Sequence, residues 1–110
     1  MRIAIMIAVA ALPLSPTFAS AQSIPRYDPA ASCEEVAATA DGSRVIYNGC
    51  MQMEQEAYNV LKSTWPSLPA STRDSCDEVA RSGGHGTYAI LKGCVDMEAE
   101  AAADEPEFEF

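Results

Sequence analysis

Along residues 44–65, RVIYNGCMQMEQEAYNVLKSTW, apolar side chains recur every three or four positions, at Ile46, Cys50, Met53, Ala57, Val60, Leu61 and Trp65. That is the 3.6-residue period of a helix with one apolar face. Arg44, Gln52, Glu54, Gln55, Asn59 and Lys62 fall largely away from the stripe, and proline is absent until Pro66. The same spacing returns after Thr87 in TYAILKGCVDMEAEAAA, where Ile90, Cys94, Met97 and Ala101 form a second stripe. Ser43 and Thr87 stand where each helix needs a side-chain oxygen to accept from its free N–H groups. Two shorter helices precede these. Asp28-Pro29 starts one that runs to about Ala40 and stops at Asp41-Gly42, and Pro69 opens another that runs to about Ser82, before Gly83-Gly84-His85-Gly86. The pattern predicts four helices and no strand.

The two halves also spell alike. Cys33-Glu34-Glu35-Val36-Ala37 matches Cys76-Asp77-Glu78-Val79-Ala80, and Gly42-Ser43 matches Gly86-Thr87. Gly49-Cys50 then matches Gly93-Cys94, Met53-Glu54 matches Met97-Glu98, and Glu56-Ala57 matches Glu100-Ala101. Two helices per unit at a period of roughly 43 residues describe a helical-hairpin repeat, in which one unit covers the apolar face of the next. The expected fold is all-α: two tandem disulfide-stapled hairpins, about 29–65 and 69–103, in one four-helix domain. Cys33 and Cys50 are symmetric about Asp41-Gly42, and Cys76 and Cys94 about His85. Antiparallel helices folding back at those turns bring each pair level, which favours Cys33–Cys50 and Cys76–Cys94. The rival pairing, Cys50–Cys94 with Cys33–Cys76, ties the repeats together instead. Each hairpin staple closes a loop worth ~3 kcal/mol. Gly49 and Gly93 predict a close crossing of the two long helices, since glycine inside a helix costs about 1 kcal/mol. Val36 and Val79, one turn beyond the first cysteine of each unit, are expected core contacts.

The N-terminus changes the compartment in which this fold is placed. MRIAIMIAVAALPLSPTFASA has one basic residue, an apolar run and a closing Ala19-Ser20-Ala21, the pattern of a secretory signal peptide ending at residue 21. Pro13 and Pro16 leave that run short of the ~20 residues a membrane span needs. Removing it leaves a lead-in at 22–28, the helical domain at 29–103 and an acidic tail at 104–110, expected to be disordered. Six basic side chains then face sixteen acidic ones, a balance of −10. So acidic a chain is not expected to bind nucleic acid or anionic lipid, which take up Lys and Arg. Four cysteines suit an oxidising compartment, periplasmic or extracellular. Bridges matter here because a core of this size supplies only ~3–5 kcal/mol.

The repeated C-x-x-V-A, G-S/T and G-C-x-x-M-E-x-E-A pattern from Cys33 to Ala101 resembles a group of small exported alphaproteobacterial proteins without an assigned activity. The run Cys50 to Leu61, with Glu54, Ala57, Tyr58 and Leu61 in register, is similar to small helical domains of the lysozyme-inhibitor kind. Neither resemblance implies a catalytic residue or a cofactor.

Candidate chemistry is sparse. His85 lies among glycines, with no neighbour in sequence to orient it as a general base. Once the thiols are oxidised, no nucleophile has an evident histidine partner. Glu34-Glu35 and Glu54/Glu56 read as solvated helix faces. No enzyme and no cofactor are expected. Cys50 with Met53 and Cys94 with Met97 place a thiol and a thioether on one turn, an alternative Cu(I) ligand set. The favoured expectation is an exported binding or structural module with a cationic protein as its partner, and a lysozyme-inhibitor-like binding protein is the alternative. Tyr27, Tyr47, Tyr58, Tyr88 and Trp65 are its candidate anchors.

Overall fold

Where the sequence has cap residues, the helices begin. In the computed structural model, which describes residues 10–11 and 23–110, α1 spans Pro29–Ala38, α2 Arg44–Thr64, α3 Ala70–Arg81 and α4 Tyr88–Ala103. Apart from Ala10 and Ala11, the expected leader and its cleavage site lie outside the described residues. Asp28, Ser43 and Thr87 each accept from the backbone N–H three residues on, closing the first turns of α1, α2 and α4. Pro69 stands at the N-cap of α3, where its missing N–H leaves no donor unsatisfied. Asp41 and Gly42 turn the chain between α1 and α2 with φ of 54° and 75°, the left-handed region that Gly enters without strain.

Both hairpins are stapled as the turn symmetry predicts. Cys33 is bonded to Cys50 and Cys76 to Cys94, with Cα atoms 5.6 and 5.5 Å apart. No helix among the described residues is long and apolar enough to cross a membrane. The two disulfides fit a location outside the reducing cytoplasm. Residues 105–110 carry no helix and are exposed throughout.

The hairpins join through α2 and α4. Ala57, Leu61 and Trp65 pack with Tyr88, Leu91 and Val95, and α3 adds Cys76 and Ala80 from the other side. Glu54 meets the first residues of α4, and Val60 shares a groove with Asp96, so α2 and α4 run in the same direction. Position 54 therefore lies level with position 88, the repeat equivalent of 44. The second hairpin is displaced along α2 by about ten residues, or ~15 Å at the helical rise.

That displacement overturns several expectations. The buried stripe of α4 is Tyr88, Leu91 and Val95, while Ile90, Met97 and Ala101 are exposed and Cys94 alone of the expected stripe packs against the core. On α2 the buried residues are Glu54, Ala57 and Leu61, while Ile46, Met53 and Val60 are exposed. Val36 and Val79 are half exposed and are not core contacts. Nothing lies within 4 Å of a Cβ placed on Gly49 or Gly93, so these glycines do not serve a helix crossing. The glycine that packing requires is Gly86, where a Cβ would run into the Tyr27 ring.

The lead-in is part of the fold. Ile24 and Tyr27 pack on the core, the Tyr27 N–H donates to Tyr88 Oη, and Tyr88 Oη–H donates to the Pro25 carbonyl. Tyr27 Oη–H donates to Asp77 of α3 at 2.6 Å. A segment with no periodicity thus straps α3 to α4.

Candidate interaction surface

Both hairpins leave the same apolar side chains in water. Val36 and Val79 are 47% and 48% exposed, Ile46 and Ile90 41% and 47%, and Met53 and Met97 63% and 70%. These pairs occupy matched positions of the repeat, and each set follows I-x-x-G-C-x-x-M along its long helix. Scattered exposed apolar residues are ordinary, but a contiguous patch marks a binding surface.

On the first hairpin the patch forms a groove of about 470 Å³, lined by Val36 of α1, by Val45, Ile46, Gly49 and Met53 of α2, and by Ala89 of α4. A second groove of about 390 Å³ continues between α2 and α4, past Ala57, Val60 and Gly93. Met53 and Ala89 line both, so the two are one trough. The apolar stripe foreseen from sequence as core is, in large part, the lining of this trough.

The trough owes its shape to Glu54, which was expected on a solvated face. The residue is only 4% exposed, and its two carboxylate oxygens accept from the Tyr88 and Ala89 N–H groups at 2.8 and 3.1 Å. A carboxylate against the free N–H groups of a helix start is favoured both by hydrogen bonding and by the helix dipole. Glu54 therefore fixes the end of α4 against α2. The matched Glu98 is exposed and makes no such contact.

Four ion pairs stand on the surface of the described residues. Arg44 grips Glu34 through two hydrogen bonds of 3.0 and 2.9 Å, which hold the Glu34 carboxyl below its ordinary range and push the Arg44 guanidinium up. Arg81 pairs with Asp77, which raises the Arg81 guanidinium in the same way, and Lys92 pairs with Asp96. Burial and the hydrogen bond to Asp77 push the Tyr27 phenol above its usual range. His85 finds a partner that its glycine loop does not supply, Glu35 of α1, at 3.2 Å. This contact lies on the exposed surface and bridges the hairpins.

The remaining candidates divide. Trp65 and Tyr88 are buried in the core and unavailable as anchors, and Tyr27 is committed to Asp77. Tyr47 and Tyr58 are half-buried. Cys50 and Cys94 are in disulfides, so the Cu(I) set of Cys50, Met53, Cys94 and Met97 offers no thiolate here. In the run likened to lysozyme-inhibitor domains, Ala57 and Leu61 are used in the core and Tyr58 packs against it. The pocket of about 240 Å³ by Tyr27, Tyr58 and Tyr88 is walled by rings that hold one another, Tyr27 tilted on Tyr88 at 4.8 Å and Tyr58 edge-to-face with Tyr88 at 4.9 Å. The trough was missed in sequence because a helical stripe reads alike whether a neighbouring helix covers it or water does. No protein-family model matches the chain, and no curated protein or solved structure matches it.

Proposed function

We propose that the protein is an exported, non-enzymatic binding module of the periplasm or extracellular space, which recognises another protein through the apolar surface on its stapled hairpins. One observation carries the reading: Val36/Val79, Ile46/Ile90 and Met53/Met97 are exposed at matched positions in both halves. An apolar face that the chain's own second unit does not cover, presented twice on a cross-linked frame, suits a partner from outside.

The test is photocrosslinking in the producing cell, with a benzophenone amino acid in place of Val45, Met53 or Met97. Adducts with another protein are expected at all three positions and not at the exposed Glu78. Failure to form any adduct at the three apolar positions sinks the reading.

A further inference from the structure

We infer that the trough between α1, α2 and α4 is a docking site for a cationic amphipathic helix of another protein. This inference rests on the protein-binding reading above and names the chemistry of the partner.

The dimensions suit a helix. From Ile46 to Val60 the trough follows about fourteen residues of α2, roughly 21 Å or four helical turns. A helix laid along it presents anchors at i, i+3 or i+4, and i+7, the spacing of groove-bound helices. An extended peptide finds no edge to pair with, because the described residues contain no strand.

The floor is bare backbone. Gly49 lies in one groove and Gly93 in the other, each with open space where a side chain would start. Glycine weakens both helices, and the fold gains no internal contact in return. An occupant gains room, because a missing side chain lets a second backbone come closer. Met53, shared by the two grooves, adds a long unbranched side chain that adapts to the shape of what binds.

The charge selects the sign of the partner. Lys92 and Asp96 on the rim pair with each other, Glu56 adds a negative charge beside them, and Glu100 continues the same face along α4. With the leader removed the chain carries −10, which opposes a second copy and an anionic membrane while attracting a basic segment.

The experiment titrates the oxidised full mature chain with a designed leucine/lysine amphipathic helix of about 18 residues, roughly five turns, and with its leucine/glutamate counterpart. Calorimetry is expected to show micromolar binding of the lysine peptide, weakened by salt and at least about tenfold tighter than that of the glutamate peptide. Gly49→Leu and Met53→Glu are each expected to cut that affinity about tenfold while the circular-dichroism melt still shows a folded domain. Equal binding of both peptides overturns the proposal, as does an affinity that neither variant changes. A sedimentation mass of a dimer that Met53→Glu dissolves also overturns it, in favour of a second copy. Uptake by phosphatidylcholine vesicles that Met53→Glu abolishes overturns it in favour of a lipid surface. A Met53 crosslink to another protein, without lysine-peptide binding, defeats this inference alone, whereas no crosslink at any apolar position defeats the protein-binding reading beneath it.

Discussion

The first hairpin and the second are spelled alike and packed differently. Each closes on itself in one way: Cys33 and Ala37, or Cys76 and Ala80, are buried under a disulfide to the long helix. Toward each other they use unlike surfaces. α2 offers Glu54, Ala57 and Leu61, and α4 offers Tyr88, Leu91 and Val95, whose repeat equivalents in α2 are Arg44, Tyr47 and Met51. A junction in which each unit uses a different patch is head-to-tail and would propagate if a further unit followed. Here α4 ends at Ala103, before the positions matching Leu61 and Trp65, so the second hairpin lacks the surface to receive another. What the halves share is therefore hairpin closure and the exposed apolar set. What they do not share is the core.

The sharpest way to break that contrast is to remove the disulfides one at a time. Each Cys pair replaced by Ala loses ~3 kcal/mol of loop closure. Cys76 also belongs to the main core and Cys94 packs against it, whereas Cys33 and Cys50 do not take part. Urea denaturation should show the larger loss, ~3–5 kcal/mol, for the second hairpin. In hydrogen exchange, loss of Cys33–Cys50 should open α1 while α2 and α4 stay protected. If both variants lose the same amount and open the whole domain, the hairpins are equivalent after all.

Glu54 and Glu98 test the junction itself. Glu54→Ala leaves the buried Tyr88 N–H and the part-buried Ala89 N–H without this partner and should cost about 1–3 kcal/mol, while Glu98→Ala should stay within about 0.5 kcal/mol. Equal effects in denaturation would mean that the α4 cap does not hold the hairpins together.

How much of this was written in the sequence follows from which interactions are local. Caps, turns and hairpin staples depend on residues close in the chain, so Asp28, Ser43, Thr87 and the cysteine pairing were all legible. The displacement between hairpins depends on contacts across the fold, Glu54 with the start of α4 and Ala57, Leu61 and Trp65 with Leu91 and Val95, and periodicity carries no trace of them. A glutamate beside a methionine on a helix looks like the solvated partner, yet here Glu54 is inside and Met53 outside. The strap at Tyr27 was hidden for the same reason, because its partners Asp77 and Tyr88 are fifty and sixty-one residues away.

The glycines sharpen the comparison with a smaller effect. Gly49→Ala and Gly93→Ala place a methyl in open space inside a helix, and each should add up to about 1 kcal/mol of stability. Gly86→Ala instead drives a methyl into Tyr27 and should cost about 1–3 kcal/mol. Thermal melts of the three variants decide it. Destabilisation by Gly49→Ala would restore the close-crossing role that the packing denies.

The smallest difference lies in pH, and it turns one matched position in opposite directions. Glu34 in the first hairpin and Asp77 in the second are repeat equivalents. Glu34 is bound by Arg44, which lowers its carboxyl, so its contribution is present above the ordinary Glu value of about 4.3 and fades as the pH falls through the depressed value. Asp77 accepts from Tyr27, whose phenol is raised by burial and by that bond. Below about pH 10 the phenol is protonated in both folded and unfolded chains, and its contribution is complete. Above that value the unfolded chain releases the proton first, so stability falls as the pH rises. Tyr27→Phe should cost about 0.5–1.5 kcal/mol at neutral pH and flatten the alkaline limb of a stability profile. Glu34→Gln should flatten the acid limb and leave the alkaline one unchanged. If both substitutions act on the same limb, the strap and the Arg44 clasp are not separate devices, and the two hairpins respond to pH as one.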